Sequence, residues 1–272
     1  MKFLTSLSIT IALMAPLQAQ TPAPVPSVAE TQARQELNEA ARAYREGNFA
    51  EAQAHSEKAL LLDPQNKTAP TYVARTIHAQ YKPGDLTPEN VAKAQQAIIA
   101  YQRILERSPN DDESYKAVTY LYNAIKEDEL LRQWILQRAA NVSLPNDKRA
   151  EAFVVLASKD WDCSFKITEL PSNKITTVVG DKVNVSFRKP KEDVEFQRAN
   201  ECANHGLEMV NMAITLTPEN QAAWSYKTNI LLELSKLAEM SGDVPRRTEL
   251  YRQYEEALSQ TTKVSKRSPS NP

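Results

Sequence analysis

From about residue 30 to residue 262 the apolar positions recur at helical spacing, one amphipathic stretch after another. Four similar closures punctuate them: LLLDPQN ending at Asn66, LERSPND at Asp111, NVSLPND at Asp147 and AITLTPEN at Asn220. In each, Pro ends a helix that it cannot continue, and its fixed φ suits the turn into the next. Pro64, Pro109, Pro145 and Pro218 stand 45, 36 and 73 residues apart. The last gap is about two units of roughly 34 residues with a small insertion. The pattern predicts five helix pairs. It breaks once, over residues 160–190, where Phe165 and Ile167 alternate with polar neighbours and two β-branched runs flank Gly180-Asp181. That reads as a β-hairpin, with a third short strand at Cys163–Leu170. The insertion splits the fourth pair, whose helices are expected at about 147–159 and 192–216. The second helix of the fifth pair is expected at about 243–262.

The first unit, ARAYREGNFAEAQAHSEKALLLDP, carries Gly47 at its elbow, Phe49 packing the turn, and Ala52 and Ala59 where two helices must approach closely. Gly47, Phe49, Ala52, Ala59 and Pro64 fall at the spacing of the tetratricopeptide repeat, which the chain resembles over some 200 residues. Tyr115, Val118 and Tyr122 recur at first-helix positions of the third unit, and Trp224 stands where the repeat prefers Trp. Glu36 departs from the pattern, which favours a large aromatic there. The resemblance implies an all-α, right-handed helical solenoid of about five helix pairs with a small β-hairpin insertion. A helical bundle with Pro at its helix ends is the plainer alternative.

The ends read differently. Met1 to Gln20 runs from Lys2 through an apolar stretch to a small-residue exit at Ala19, the order of a secretory signal, so residues 1–19 are expected to be cleaved. Their loss moves the formal charge from -1 to -2. Residues 20–29, with Pro22, Pro24 and Pro26, read as an extended linker, residues 30–262 as the repeat domain, and residues 263–272 as a basic disordered tail. The expected location is periplasmic or secreted. A nearly neutral chain offers no electrostatic footprint for nucleic acid, and no membrane span is expected in the mature protein. Gly is scarce, at 5 of 272, which leaves little material for a glycine-rich phosphate loop.

Cys163 and Cys202 are the only cysteines. In an exported chain an even count favours a disulfide, here tying the hairpin to the helix that follows it. Two inert thiols are one alternative. A metal site is the other, with Cys202 and His205 on one helical face, Cys163 as a third ligand, and Asp160 or Asp162 completing it. The remaining histidines, His55 and His78, have no acidic or Ser partner nearby in sequence. Asn66, Asn141 and Asn184 begin Asn-x-Ser/Thr sequons, which chance would supply at this composition.

The catalytic motifs His-Glu-x-x-His and Gly-x-Ser-x-Gly are absent, so neither an enzyme nor a cofactor is expected. In the resembled family the first helix of each pair lines a concave groove. Carried over by position, that lining is Arg34, Tyr44 and Arg45, then Arg75 and His78, then Lys116, Tyr120 and Asn123, then Ser225 and Asn229. Basic and aromatic side chains together suit an acidic or C-terminal peptide. One subset of the family clamps a peptide carboxylate with Lys and Asn four residues apart; here Tyr120 follows Lys116, and the clamp is not reproduced. The leading expectation is a non-catalytic exported scaffold that binds a protein or peptide. The others are a self-assembling envelope component, homo-oligomeric through its convex face and hairpin, and a metal- or thiol-dependent enzyme.

Overall fold

The computed structural model describes residues 26–267, and the expected signal segment lies outside them, as do residues 20–25 of the linker. Ten α-helices follow in order: α1 (Val28–Arg45), α2 (Phe49–Leu62), α3 (Ala69–His78), α4 (Pro88–Arg107), α5 (Asp112–Ala124), α6 (Asp128–Ala140), α7 (Asn146–Thr168), α8 (Asp193–Leu216), α9 (Gln221–Met240) and α10 (Val244–Arg267). Between α7 and α8 a two-stranded antiparallel hairpin joins β1 (Lys174–Val179) to β2 (Lys182–Phe187), from the pair Lys174–Phe187 to the pair Val179–Lys182. The fold is tetratricopeptide-like: five successive helix pairs and one hairpin insertion.

Three of the recurring closures do two jobs. Pro stands just past the helix end, and the polar residue after it satisfies amide groups that the first turn of the next helix leaves without partners. At the other, Pro145 is itself the N-cap of α7. The Asn66 Oδ1 accepts from the Thr68 and Ala69 amides, each at 2.9 Å, before α3. Asp111 accepts from the Ser114 amide at 2.7 Å before α5, and Asn220 from the Ala223 amide at 2.9 Å before α9. Trp224 fastens that last turn by donating its indole N–H to the Pro218 carbonyl at 2.8 Å. The long elbow between α3 and α4 is held by buried Asn90. Its amide donates to the carbonyls of Lys82 and Asp85, and its Oδ1 accepts the Lys82 N–H.

Within the pairs, small residues set the spacing. Ala33, Ala40, Ala52 and Ala59 are fully buried. Gly206 does the same further along: a Cβ there would meet the Asp160 Cβ at 3.0 Å and the Ile230 Cδ1 at 3.2 Å, so α8 lies against α7 at glycine distance. The core comes in three clusters. A small one holds Ala33, Ala59 and Ala69; a second runs from Ala74 to Ile125; the largest runs from Leu131 to Ala257 and spans α6 to α10. Half-buried Tyr122 packs against the second and the third.

Three expectations about the elements need correction. The stretch 163–168 is helix, not strand: α7 runs on to Thr168, and the insertion begins after it. Its inward stripe is Ala157, Asp160, Ser164 and Thr168, so a helix face made of polar residues carried no apolar periodicity to read. Residues 263–267 belong to α10, where Val264 continues the buried line of Leu250 and Ala257 and Arg267 pairs with Glu219 at 3.0 Å. At the other end α1 starts at Val28, inside the expected linker, because Ser27 makes a reciprocal capping box with Glu30.

Candidate functional site

Consecutive first helices share one face of the stack, and two pockets open on it. Between α1 and α3, Tyr44, Arg45, Tyr72 and Arg75 surround a pocket of about 170 Å³ over Ala41. Arg45 and Arg75 are exposed, and neither forms an ion pair among the described residues. Tyr44 is steadied by the Phe49 ring, 5.2 Å away centroid to centroid.

Between α5 and α7 lies a larger pocket of about 430 Å³. Its walls are Tyr115, Thr119, Tyr120, Ala152 and Val155, with Lys116, Asn123 and Glu151 at the rim and Asp112 and Arg138 behind. Arg138 is buried, its guanidinium 4.0 Å from the centre of the Tyr115 ring, and Tyr115 stacks in turn on Trp134 at 5.7 Å. Asp112 anchors this stack, accepting from Arg138 and from Lys148 at 2.5 Å each. The hydrogen bonds from Lys148 and Arg138 hold the Asp112 carboxyl below its ordinary value, while burial pushes the Tyr115 hydroxyl up.

The two pockets adjoin along the same face. Tyr120, on the wall of the larger one, lies against His78 with ring centroids 5.8 Å apart, and His78 is one helical turn from Arg75. The imidazole also meets the Tyr101 hydroxyl at 3.2 Å. Burial lowers the pKa of His78 and pushes that of Tyr101 up to about 12.

Of the groove residues expected from the sequence, Tyr44, Arg45 and Arg75 meet in the first pocket, and Lys116, Tyr120 and Asn123 in the second. His78 stands between them. Arg34 is exposed on α1, and Ser225 and Asn229 lie on α9; none of the three lines either pocket. Tyr72, Arg138 and Val155 were missed. Tyr72 sits one turn before Arg75 on the same helix face, a signal that was available. Arg138 comes from α6, a second helix, and nothing in its local sequence marks it as reaching this face.

The expected disulfide is present, but it ties different elements from those expected. Cys163 and Cys202 form a disulfide with their Cα atoms 6.0 Å apart, and it joins α7 to α8 rather than the hairpin to a helix. Both sulfurs are thereby lost to the alternative metal site. His205 turns instead to Asp160, with its Nδ1 2.6 Å from Oδ2, and Arg132 donates to the same carboxylate at 2.9 Å. Asp162 pairs with Lys166 at 2.6 Å. Among the described residues no three His, Cys, Asp or Glu side chains are grouped as a metal ion requires. His55 does have acidic partners, contrary to expectation, and one of them, Glu51 at 3.9 Å, stands one turn before it in sequence. Glu36 reaches across from α1 to the His55 Nδ1 at 2.7 Å and to Lys58 at 2.6 Å. The residue that departs from the repeat pattern thus serves as an ion-pair bridge between α1 and α2, and the hydrogen bonds from Lys58 and His55 lower its pKa.

The hairpin is fastened by its root. The Phe187 N–H donates to Glu239 at 3.1 Å, and the Lys236 ammonium sits 5.0 Å from the Phe187 ring and 5.3 Å from that of Phe165. Lys236 also pairs with Glu169 at 2.6 Å and with buried Glu233 at 2.7 Å, and Glu233 accepts the Thr168 hydroxyl at 2.6 Å. Burial alone would raise the Glu169 carboxyl, but Lys174 and Lys236 outweigh it and leave its pKa lowered.

No protein-family model and no curated protein matches the sequence. Solved structures share its general arrangement. MamA (residues 41 to its end) from Desulfovibrio magneticus RS-1 aligns with a TM-score of 0.41 at 13% identity, over 88% of this chain and 98% of that one. A tetratricopeptide repeat protein from Parabacteroides merdae gives 0.35 at 12% identity, over 85% and 99%. PilF of Pseudomonas aeruginosa gives 0.33 at 12%, over 89% and 100%. Likenesses this loose carry no functional argument, and the site has to be read from its own residues.

Proposed function

We propose that this protein is a non-catalytic scaffold, exported from the cell, that binds an extended segment of another protein along the face shared by α1, α3, α5 and α7. The observation that carries the reading is the pocket between α5 and α7. It is roomy enough for a large side chain, walled by aromatic and aliphatic groups, and rimmed by Lys116 and Asn123. Rigid aromatics with a few polar groups beside them are what a protein-binding hot spot is made of. Export is supported by the signal-like residues 1–19 and by the use of both cysteines in one disulfide. Among the described residues no helix is long and apolar enough to cross a membrane.

A second reading, self-assembly, has one observation behind it. On the opposite face a trough of about 550 Å³ lies between α2 and α4, with Leu61 81% and Ile99 50% exposed at its edges. A photo-crosslinking residue placed at Tyr120 or at Leu61 in the native cell separates the two. Adducts to another protein from Tyr120, with none from Leu61, support the scaffold. Adducts of the chain to itself from Leu61, with none from Tyr120, support assembly and overturn the scaffold.

A further inference from the structure

We infer that the bound segment carries an acidic side chain and, at least about five residues away, a bulky aliphatic or aromatic one. This rests on the reading that the first-helix face binds a protein segment, and it states what that segment must look like.

The two pockets differ in chemistry. The one between α1 and α3 holds two guanidinium groups, Arg45 and Arg75, that have no carboxylate partner among the described residues, with Tyr44 and Tyr72 beside them. The arginines and lysines packed inside the stack are neutralised: Arg132 has Asp160, Arg138 and Lys148 share Asp112, and Lys236 holds Glu169 and Glu233. Two unneutralised guanidinium groups on one pocket favour an anion, and their planar donor pairs match a carboxylate. The pocket between α5 and α7 is the reverse. Its walls are largely apolar, and its buried charges are already satisfied, because Asp112 accepts from both Arg138 and Lys148. A charged side chain passing Lys116 at the rim would be desolvated deeper in, where no free partner waits, whereas a Leu or Phe side chain would be stabilised there.

The spacing follows from the stack. The contact of His78 with Tyr120 makes the two pockets parts of one surface. Their centres are separated by two steps between neighbouring first helices, and because a pocket rather than direct packing separates α5 from α7, the span exceeds the roughly 16 Å that two steps of packed helices would give. An extended chain advances about 3.3 Å per residue, so at least about five residues join the two anchors.

Selection from a random 12-residue phage-displayed peptide library against the mature chain tests this directly. The expected winners have Asp or Glu and Leu, Ile, Met or Phe separated by at least about five positions. In a synthetic winner, replacing the acid by its amide weakens binding on the order of tenfold, the worth of a charge-assisted hydrogen bond. Arg45→Glu or Arg75→Glu removes that sensitivity to the acid, and Val155→Trp, which fills the other pocket, removes the sensitivity to the apolar residue. Both arginines are exposed, so the charge reversals leave the fold intact, and the peptide-side changes need no protein variant at all. Winners blocked by Val155→Trp but without an acid at that spacing overturn this inference and leave the scaffold reading standing. Winners that bind equally to the Val155→Trp and Arg45→Glu/Arg75→Glu proteins overturn both, as does a library that yields none.

Discussion

From Leu131 to Ala257 the buried side chains of α6 to α10 join one continuous core, whereas α1 to α5 divide theirs between a cluster of alanines and a separate one around Ile98 and Tyr101. The second half also has the disulfide, the glycine-distance contact at Gly206, and the fully partnered Glu233–Lys236–Glu169 network. The first half has instead the trough between α2 and α4, the pocket between α1 and α3, and one wall of the pocket between α5 and α7. The contrast shows how a repeat stack can divide its labour. One half has a continuous core with few openings, and the other leaves more of its helix faces uncovered, as the proposed binding role requires. Local opening should follow the same division, since regions with smaller buried cores and more exposed surface open at lower free energy.

The largest expected effect comes from the disulfide. Cys163→Ser with Cys202→Ser frees a loop of sequence separation 39, which the chain-entropy model values at about 4 kcal/mol. Denaturant unfolding of the double variant should show that loss in the transition of α6 to α10, with α1 to α5 unchanged by hydrogen exchange. A loss spread evenly over both halves would mean that the two are one cooperative unit. Next in size is Glu233→Ala. The carboxylate is 2% exposed and holds both Lys236 and Thr168, so its removal leaves buried donors short of a partner and should cost about 3 kcal/mol. Thermal melting measures it, and a loss below about 1 kcal/mol would show that Glu169 alone satisfies Lys236.

Alkaline pH should strike the other half. Burial raises Tyr101 from 10.0 to about 12, so the unfolded chain ionises first. The stabilisation from keeping it neutral is complete below pH 10.0 and disappears as pH rises towards about 12, a change of about 2–3 kcal/mol. Exchange in α3 to α5 should therefore accelerate over that window ahead of α8 to α10, and Tyr101→Phe should abolish the difference. The smallest effect belongs to Asp112. Its pKa is lowered, so the stability it brings is present above the ordinary carboxylate value near 4 and fades as pH falls through its lower folded value. Asp112→Asn should cost only about 1 kcal/mol at neutral pH, because the Asn oxygen still accepts from the buried Arg138 guanidinium while the lost charge is partly open to solvent. It should also remove the acid sensitivity of melting that arises at the α5–α6–α7 junction.

Much of the architecture was legible because turn chemistry repeats. Pro64, Pro109 and Pro218 marked helix ends whatever the packing, Pro145 marked the start of α7, and Asn66, Asp111 and Asn220 proved to satisfy the first amides of the helices that follow. Where the fold departs from expectation, a polar residue does what an apolar one usually does. Asp160 and Thr168 face inward on α7 because Arg132, His205 and Glu233 approach from other elements, a fact no local pattern contains. Val264 extends α10 because its line of Leu250 and Ala257 continues. At the candidate site, residues on first helices could be placed by counting along a repeat. Arg138 reaches the same pocket from a second helix through Tyr115, and only the packed pair reveals it.

The central claim is that the first-helix face of α1 to α7 is the binding surface and that α8 to α10 with the hairpin support it. Hydrogen exchange on the mature chain, with and without a saturating library-selected peptide, tests it most directly. The account predicts added protection in α1, α3, α5 and α7, including segments with Arg75, Tyr120 and Val155, and unchanged exchange in the hairpin and α10. Protection confined to the hairpin, α10 or the trough beside Leu61 would contradict it.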